Sequence, residues 1–391
     1  MVAKQHKLLF ASACLGMTLF GITLTTLGSI LPEIIPRYGI SKTDAGAIFT
    51  VLNLGILSGS LIFGPIVDRY GYKKLLVTST FLLLIGIEGV AFSPTFKLFT
   101  FFVFFFGLGG GALNGATNAL VSDISQEGRS AGLALLGVFF GLGAFGVPLI
   151  LGVLLDSFTY TQIIASLGVI VLVTLFLFLY LAFPAPKHPQ SFPVKEALKL
   201  VKHPTLLLLA FILFFQSGME ITTGGWTAAY FHEVLQLDSS TAVLLLSFFW
   251  IGMMLSRIAL SRLLLNHSPA KILMISVGVA FLGSITLLYT DNTTIATLGV
   301  FIIGAGLAAG FPVVLGYIGD LYPKMSGTAF SLAFSIALLG GMLMPYLAGL
   351  IGDLYGLQFS FYIIPTALIA LFMLFLVVLK RFSVHHKQIK P

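Results

Sequence analysis

Residues 64–74 read GPIVDRYGYKK, turn-forming and basic residues set between two apolar segments, 45–66 and 75–94. Each segment is long enough to cross the hydrocarbon of a bilayer, about 30 Å thick, which takes about 20 mainly apolar residues in a helix. The charges between them therefore mark a loop at a membrane face. Composition agrees: 58% of the 391 residues are hydrophobic and 9% are charged, with a mean hydropathy of +1.05. A soluble chain has about 45–50% apolar and about 25% charged residues. The 37 Phe suit lipid and the 42 Gly suit close helix packing. The lone Cys14 excludes an intrachain disulfide and leaves the redox compartment open.

Outward from this loop the same reading gives twelve spans, near 8–36, 45–66, 75–94, 98–122, 131–155, 162–184, 205–231, 240–263, 271–289, 294–319, 326–352 and 358–380. The first is too long, and lacks the small-residue cleavage site, for a signal peptide. Twelve crossings put both termini on one side. Of the 21 Lys and Arg, only Arg37, Lys42 and Lys97 fall on the other side, which predicts cytoplasmic termini in a plasma (inner) membrane. The net charge of +7 then faces anionic membrane lipid, and no nucleic-acid partner is expected. The longest polar interruption, Pro184 to Pro204, begins Pro-rich and ends in a stretch, 194–202, patterned as a short amphipathic helix on the inner leaflet.

Shifting the chain by 197 residues superimposes Gly21 on Gly218, Gly55 on Gly252, Gly107 on Gly304, Gly109 on Gly306, Asp123 on Asp320, Pro148 on Pro345 and Asp156 on Asp353. The expected fold is thus an all-α membrane protein of two parallel six-helix bundles, 1–184 and 205–391, joined by a cytoplasmic linker, 185–204. Chance matches are frequent among glycines, so P-x3-G-x3-D at 148–156 and 345–353 carries more weight. Polar residues that face an apolar partner under the shift have no shared structural reason to be polar. Asn114 faces Phe311, Asn118 faces Leu315, Asn53 faces Trp250 and Glu220 faces Thr23. These are the candidate solute-binding positions.

Two parallel halves, a central linker and the 64–74 loop resemble the major facilitator superfamily, whose signature G-x-x-x-D-R-x-G-x-K-K joins the second and third helices. Tyr72 stands where arginine is common. The resemblance implies alternating access by a functional monomer, with a latch made of Gly64, Asp68, Arg69, Gly71, Lys73, Lys74, Asp123 and Arg129. In it, Asp68 meets the start of the eleventh helix and Arg69 pairs with Asp123. The segment GALNGATNALVSD, Gly111 to Asp123, resembles the fourth helix of the fucose:proton symporter branch, with Asn114 at that branch's carboxylate position.

Asn114 and Asn118 lie one turn apart and share a helix face. A water-filled midplane chamber would satisfy both amides. In the seventh span Gln216, Glu220 and Thr223 form a second polar face, Gly224–Gly225 invites a break, and Trp226 beside it is placed to stack on a sugar ring or to sit in the interfacial belt. Glu220, a carboxylate in mid-membrane, is the expected ion-coupling group, taking a proton or sodium. Glu88 is expected to be structural. Thr23 and Thr26 are weaker candidates. Apart from Arg257 near the inner end of the eighth span, no basic residue is placed to clamp an anion. A neutral, polyhydroxylated small molecule is the expected substrate, by cation-coupled uptake of a sugar or polyol. The alternative is proton-driven efflux of amphipathic drugs or lipids, and a nontransporting receptor or scaffold is a third class. No nucleophile–base pair or metal-ligand cluster supports an enzyme, and no cofactor or metal is expected.

Overall fold

The computed structural model describes residues 2–124, 129–184, 203–322 and 326–388. The expected linker helix at 194–202 lies outside them, as do the side chains of Asp68 and Arg129 and the surroundings of Gly64. Among the described residues, twelve helices are long and apolar enough to span a membrane. They are α1 (His6–Tyr38), α2 (Lys42–Phe63), α3 (Arg69–Phe92), α4 (Phe96–Ile124), α5 (Leu135–Leu154), α6 (Tyr160–Tyr180), α7 (Pro204–Glu233), α8 (Ser239–Asn266), α9 (Pro269–Leu288), α10 (Thr293–Leu321), α11 (Ala329–Tyr355) and α12 (Leu357–Arg381). Helix is the form these runs must take, because lipid offers no partner to an exposed N–H or C=O.

The polar ends are fixed by caps. Ser41 accepts from the Asp44 N–H at the start of α2, Thr159 and Gln162 form a capping box on α6, and Asn292 accepts from two N–H groups of α10. The loop quoted above is reduced to one residue. Helical geometry runs from Lys42 to Phe92 except at Gly71, whose φ of 82° and ψ of 167° lie where only glycine is at ease.

The chain divides into two compact units, Met1–Ser191 with Leu237–Ser247, and Phe192–Gln236 with Phe248–Pro391. The beginning of α8 thus groups with the first unit. Within the first, α1 packs on α5, α4 on α2 and α3, and α6 on the α2–α3 pair; within the second, α7 packs on α11 and α12, and α9 on α10.

Glycines set these approaches. On α2 and α4, Gly55 abuts the Phe104 carbonyl and Gly107 the Leu52 carbonyl, with no room for a Cβ at either. In the second unit Gly252 abuts the Phe301 carbonyl and Gly304 the Phe249 carbonyl, the same contact between α8 and α10. Gly109 lies against Leu83 of α3, and Gly306 against Ala280 of α9, the residue that the 197-residue shift pairs with Leu83. The glycine matches in the repeat are therefore equivalent packing positions, contrary to the low weight that sequence alone gives them.

Candidate functional site

In the first unit the two asparagines of α4 share a face and are half-buried. The Asn118 Nδ2 donates to the Asn114 Oδ1 at 3.0 Å and to the Asn114 carbonyl at 2.8 Å. Each amide thus satisfies part of the other. Asn53 on α2 is fully buried, and its Nδ2 donates to the Phe49 carbonyl one turn back, at 2.8 Å. Thr23 and Thr26 are fully buried on α1, with hydroxyls donating to the carbonyls of Leu19 and Ile22 at 2.9 and 2.6 Å. Gly110 of α4 leaves the space that the Thr23 side chain fills.

At the loop between α2 and α3, Asp123 of α4 accepts a hydrogen bond at 2.7 Å from the hydroxyl of Tyr72. The expected partner, Arg69, is exposed and lies over the Tyr70 ring, 5.3 Å from its centroid. Lys74 approaches the same ring at 5.4 Å, and Lys73 is exposed. The correction has a simple cause. The Tyr72 ring is buried and brings a neutral donor to Asp123 without desolvating a cation.

The second unit holds the sharper cluster. The helix α7 runs unbroken from Pro204 to Glu233, which corrects the expected break at Gly224–Gly225. Gly224 instead makes room for the Trp250 ring: a Cβ there would stand 2.9 Å from the Trp250 Cζ2. Trp226 is neither interfacial nor beside a break. It is fully buried, and its Nε1 donates to the Pro345 carbonyl of α11 at 3.1 Å. Thr223 is also buried and donates to the Met219 carbonyl at 2.8 Å.

The interruption expected in α7 occurs in α10. Its regular geometry stops at Leu307 and resumes at Gly310, with Ala308 and Ala309 still in the right-handed region. Pro312 explains this, because it lacks the N–H that would bond the Ala308 carbonyl and its ring crowds that group. The Leu307 carbonyl accepts from the Gln216 Nε2 of α7 at 2.7 Å, and the Gln216 Oε1 occupies the space that Gly310 leaves open.

One turn along from Gln216, Glu220 is 6% exposed. Gln216 and Arg257 on α8 lie near enough to act on its charge. The Glu220 Oε2 and the Arg257 Nε are buried without a hydrogen-bond partner. An acid held between an amide and a guanidinium is equipped to exchange a proton, or to bind hydroxyl groups. Arg257 was singled out in the sequence only as a cation near a helix end. Its relation to Glu220 crosses two helices and leaves no trace in local spacing. Glu88 of α3 is half-buried, its Oε1 in space left by Gly168 of α6.

A separate cavity of about 680 Å³ lies at the Arg37 end of α1, lined by Glu33, the α5–α6 turn and 238–240. Arg37 donates to the hydroxyls of Tyr160 and Thr161 and to the Ser93 carbonyl. Asp238 caps α8, its carboxyl lowered to about 2 by the Ser240 hydroxyl and the Thr241 N–H.

The chain is similar to known proteins along most of its length. It is 23% identical over 340 residues to the glucose/mannose transporter GlcP of Bacillus subtilis, covering 84% of each chain. It is 23% identical over 364 residues to the multi-drug resistance efflux pump PmrA of Streptococcus pneumoniae, covering 90% of each. In fold it resembles the crystal structure of a D-xylose-proton symporter, with a TM-score of 0.80 at 15% identity over 95% of this chain and 97% of that one. The Major Facilitator Superfamily model matches residues 13–306 and 295–391. With twelve apolar helices and a family model matched along nearly its whole length, this multi-pass membrane protein belongs to the Major Facilitator Superfamily and is a transporter, not an enzyme.

Proposed function

We propose that the protein carries out cation-coupled uptake of a sugar or polyol by alternating access. The observation that carries this reading is the buried Glu220, on whose charge Gln216 and Arg257 act, in a unit whose described buried side chains include no other charged one. A carboxylate there costs several kcal/mol when ionised and unpaired, by contested amounts, so it is kept for a proton or cation that moves with the solute. Asn114 and Asn118 contribute a half-buried amide pair, a hydrogen-bonding surface that suits hydroxyls better than anions. Asn53 in the first unit and Thr223 in the second are fully buried and bonded within their own helices, and Trp226 in the second is buried and bonded to α11. The glucose/mannose transporter among the relatives favours this substrate class, and both termini are assigned to the cytoplasm by the distribution of Lys and Arg.

The multi-drug efflux relative favours a second reading, proton-driven export of amphipathic compounds. Uptake of radiolabelled hexoses into proteoliposomes, under imposed proton or sodium gradients, separates the two. Hexose accumulation above equilibrium supports the first. Gradient-driven extrusion of a lipophilic dye without hexose transport would replace it with the second.

A further inference from the structure

We propose that Glu88 is a proton-binding acid open to the lipid, seated between α3 and α6, and the residue at which a lipid-soluble carbodiimide adds to this protein. Phe81, Ile85 and Phe92 of α3 are exposed, and with Glu88 they recur at i, i+4, i+7 and i+11, one stripe of the helix. Val169 and Ile170 of α6, next to Gly168, are exposed too. In a membrane such apolar faces meet acyl chains. The half-buried Glu88 therefore stands at the edge of the lipid-facing surface, whereas intramembrane acids ordinarily face a bundle interior.

The seat is made for the acid. Gly55 and Gly107 meet backbone carbonyls, but the atoms nearest Gly168 are the Glu88 Oε1 and Cδ and the Leu84 Cδ1. Gly168 thus brings no two backbones together; it makes room for a carboxyl. Under the 197-residue shift Glu88 and Gly168 fall on Ile285 and Pro365, so the second unit has neither acid nor seat at the equivalent positions. By the criterion that picks out Asn114 and Glu220, Glu88 has no shared structural reason to be polar.

The direction of the side chain indicates the form it holds. Arg37 bonds both the Ser93 carbonyl and the Tyr160 hydroxyl, so the end of α3 and the start of α6 share a membrane face. Glu88 lies five residues before Ser93 and Gly168 eight residues after Tyr160, about 7.5 Å and about 12 Å in from that face at the helical rise. The carboxyl turns toward hydrocarbon, away from the nearer headgroups. An ionised group gains by reaching water and would point the other way. Among the described residues none hydrogen-bonds or pairs with this carboxyl, and neither of its oxygens is fully buried. Ionisable side chains are absent from α4 between Lys97 and Asp123, from α6 between Tyr160 and Tyr180 and from α2 between Asp44 and Phe63, while Arg37 and Tyr38 of α1 are bonded at Ser93. No counter-ion among them holds a charge on Glu88. The first unit thus has a proton site of its own, reached from the lipid.

The neutral acid is the form that carbodiimides take. Its O–H proton passes to one nitrogen of the N=C=N group, and the carboxyl oxygen bonds the central carbon to give an O-acylisourea. In hydrocarbon, away from water and amines, the acyl group then migrates: its C–O bond breaks, a C–N bond forms, and a stable N-acylurea remains. The whole reagent is retained, and nothing is oxidised or reduced.

Mass spectrometry of the peptide holding Glu88 tests the proposal, after protein in lipid nanodiscs is treated with dicyclohexylcarbodiimide or, separately, with a water-soluble carbodiimide and glycine ethyl ester. The exposed Asp156 is the positive control for the second reagent. Wild type should gain the adduct at Glu88 from the lipid-soluble reagent and no label there from the water-soluble one. Gly168→Ala puts a methyl where the carboxyl lies and should reverse the pattern by turning the acid to the headgroups. Should Gly168→Ala fail to fold, Glu88→Asp, one methylene too short for the seat, takes its place with the same expectation. A wild type labelled at Glu88 by the water-soluble reagent, or by neither, overturns the proposal, and so does a variant that keeps the wild-type pattern.

Discussion

At the scale of single residues, the second unit is organised around opposite charges that share a low-dielectric setting. Removing the half-buried Arg257 leaves the buried Glu220 carboxylate less compensated, whereas replacing both by neutral groups is often close to neutral. Arg257→Met alone should therefore lower the thermal unfolding temperature in detergent far more than Arg257→Met combined with Glu220→Gln. Additive losses in this cycle would show that the two side chains are energetically independent. Glu220 and the α4 asparagines were legible in the sequence because polar side chains stand out in a greasy chain. Stacking on a sugar ring and sitting in the interfacial belt both call for an open face on Trp226, whereas its ring is fully buried and its N–H is given to Pro345, 119 residues away. The role of Gln216 was half legible: its face was evident, but its partner, Leu307, lies 91 residues away.

At the scale of elements, α2 against α4 and α8 against α10 are held at backbone contact by glycines on both sides. Gly107→Leu or Gly304→Leu must push these helices apart, so folded, monodisperse protein should be lost on size-exclusion chromatography. Gly137→Ala on α5 meets nothing within 4 Å, and helix propensity alone predicts a small gain of up to about 1 kcal/mol. The cap of α8 offers a gentler probe. Asp238→Ala should cost about 0.5–2 kcal/mol, read as a fall in melting temperature. With its carboxyl lowered to about 2, the contribution of Asp238 is present above the ordinary carboxylate range and is lost only as pH falls through about 2, so the difference between Asp238→Ala and wild type should stay constant across neutral pH. Helix existence and order were legible, because twenty apolar residues in a row admit few other readings. Helix interruption was not: Gly224–Gly225 looked like a break and proved to be a seat for the Trp250 ring, while Pro312 in α10 was the true cause. Glycine in a membrane helix marks close approach at least as often as flexibility.

At the scale of the whole molecule, the repeat read from a single 197-residue shift reappears as equivalent glycine contacts inside each unit, so this part of the fold was written in the sequence. Its orientation rests on Lys and Arg. Fusing a green fluorescent protein to the C-terminus should give fluorescent cells, and alkaline phosphatase fused at the same place should be inactive; active phosphatase would reverse the topology. The solute was not legible, because hydroxyl recognition needs only a few amides whose partners come from distant parts of the chain. The most direct test of the account compares wild type and Glu220→Gln in proteoliposomes, measuring labelled hexose both in exchange and under an inward proton gradient. The account predicts that the wild type concentrates hexose, and that Glu220→Gln still exchanges it across the membrane but never raises it above equilibrium. Concentration by Glu220→Gln to the wild-type level would contradict it.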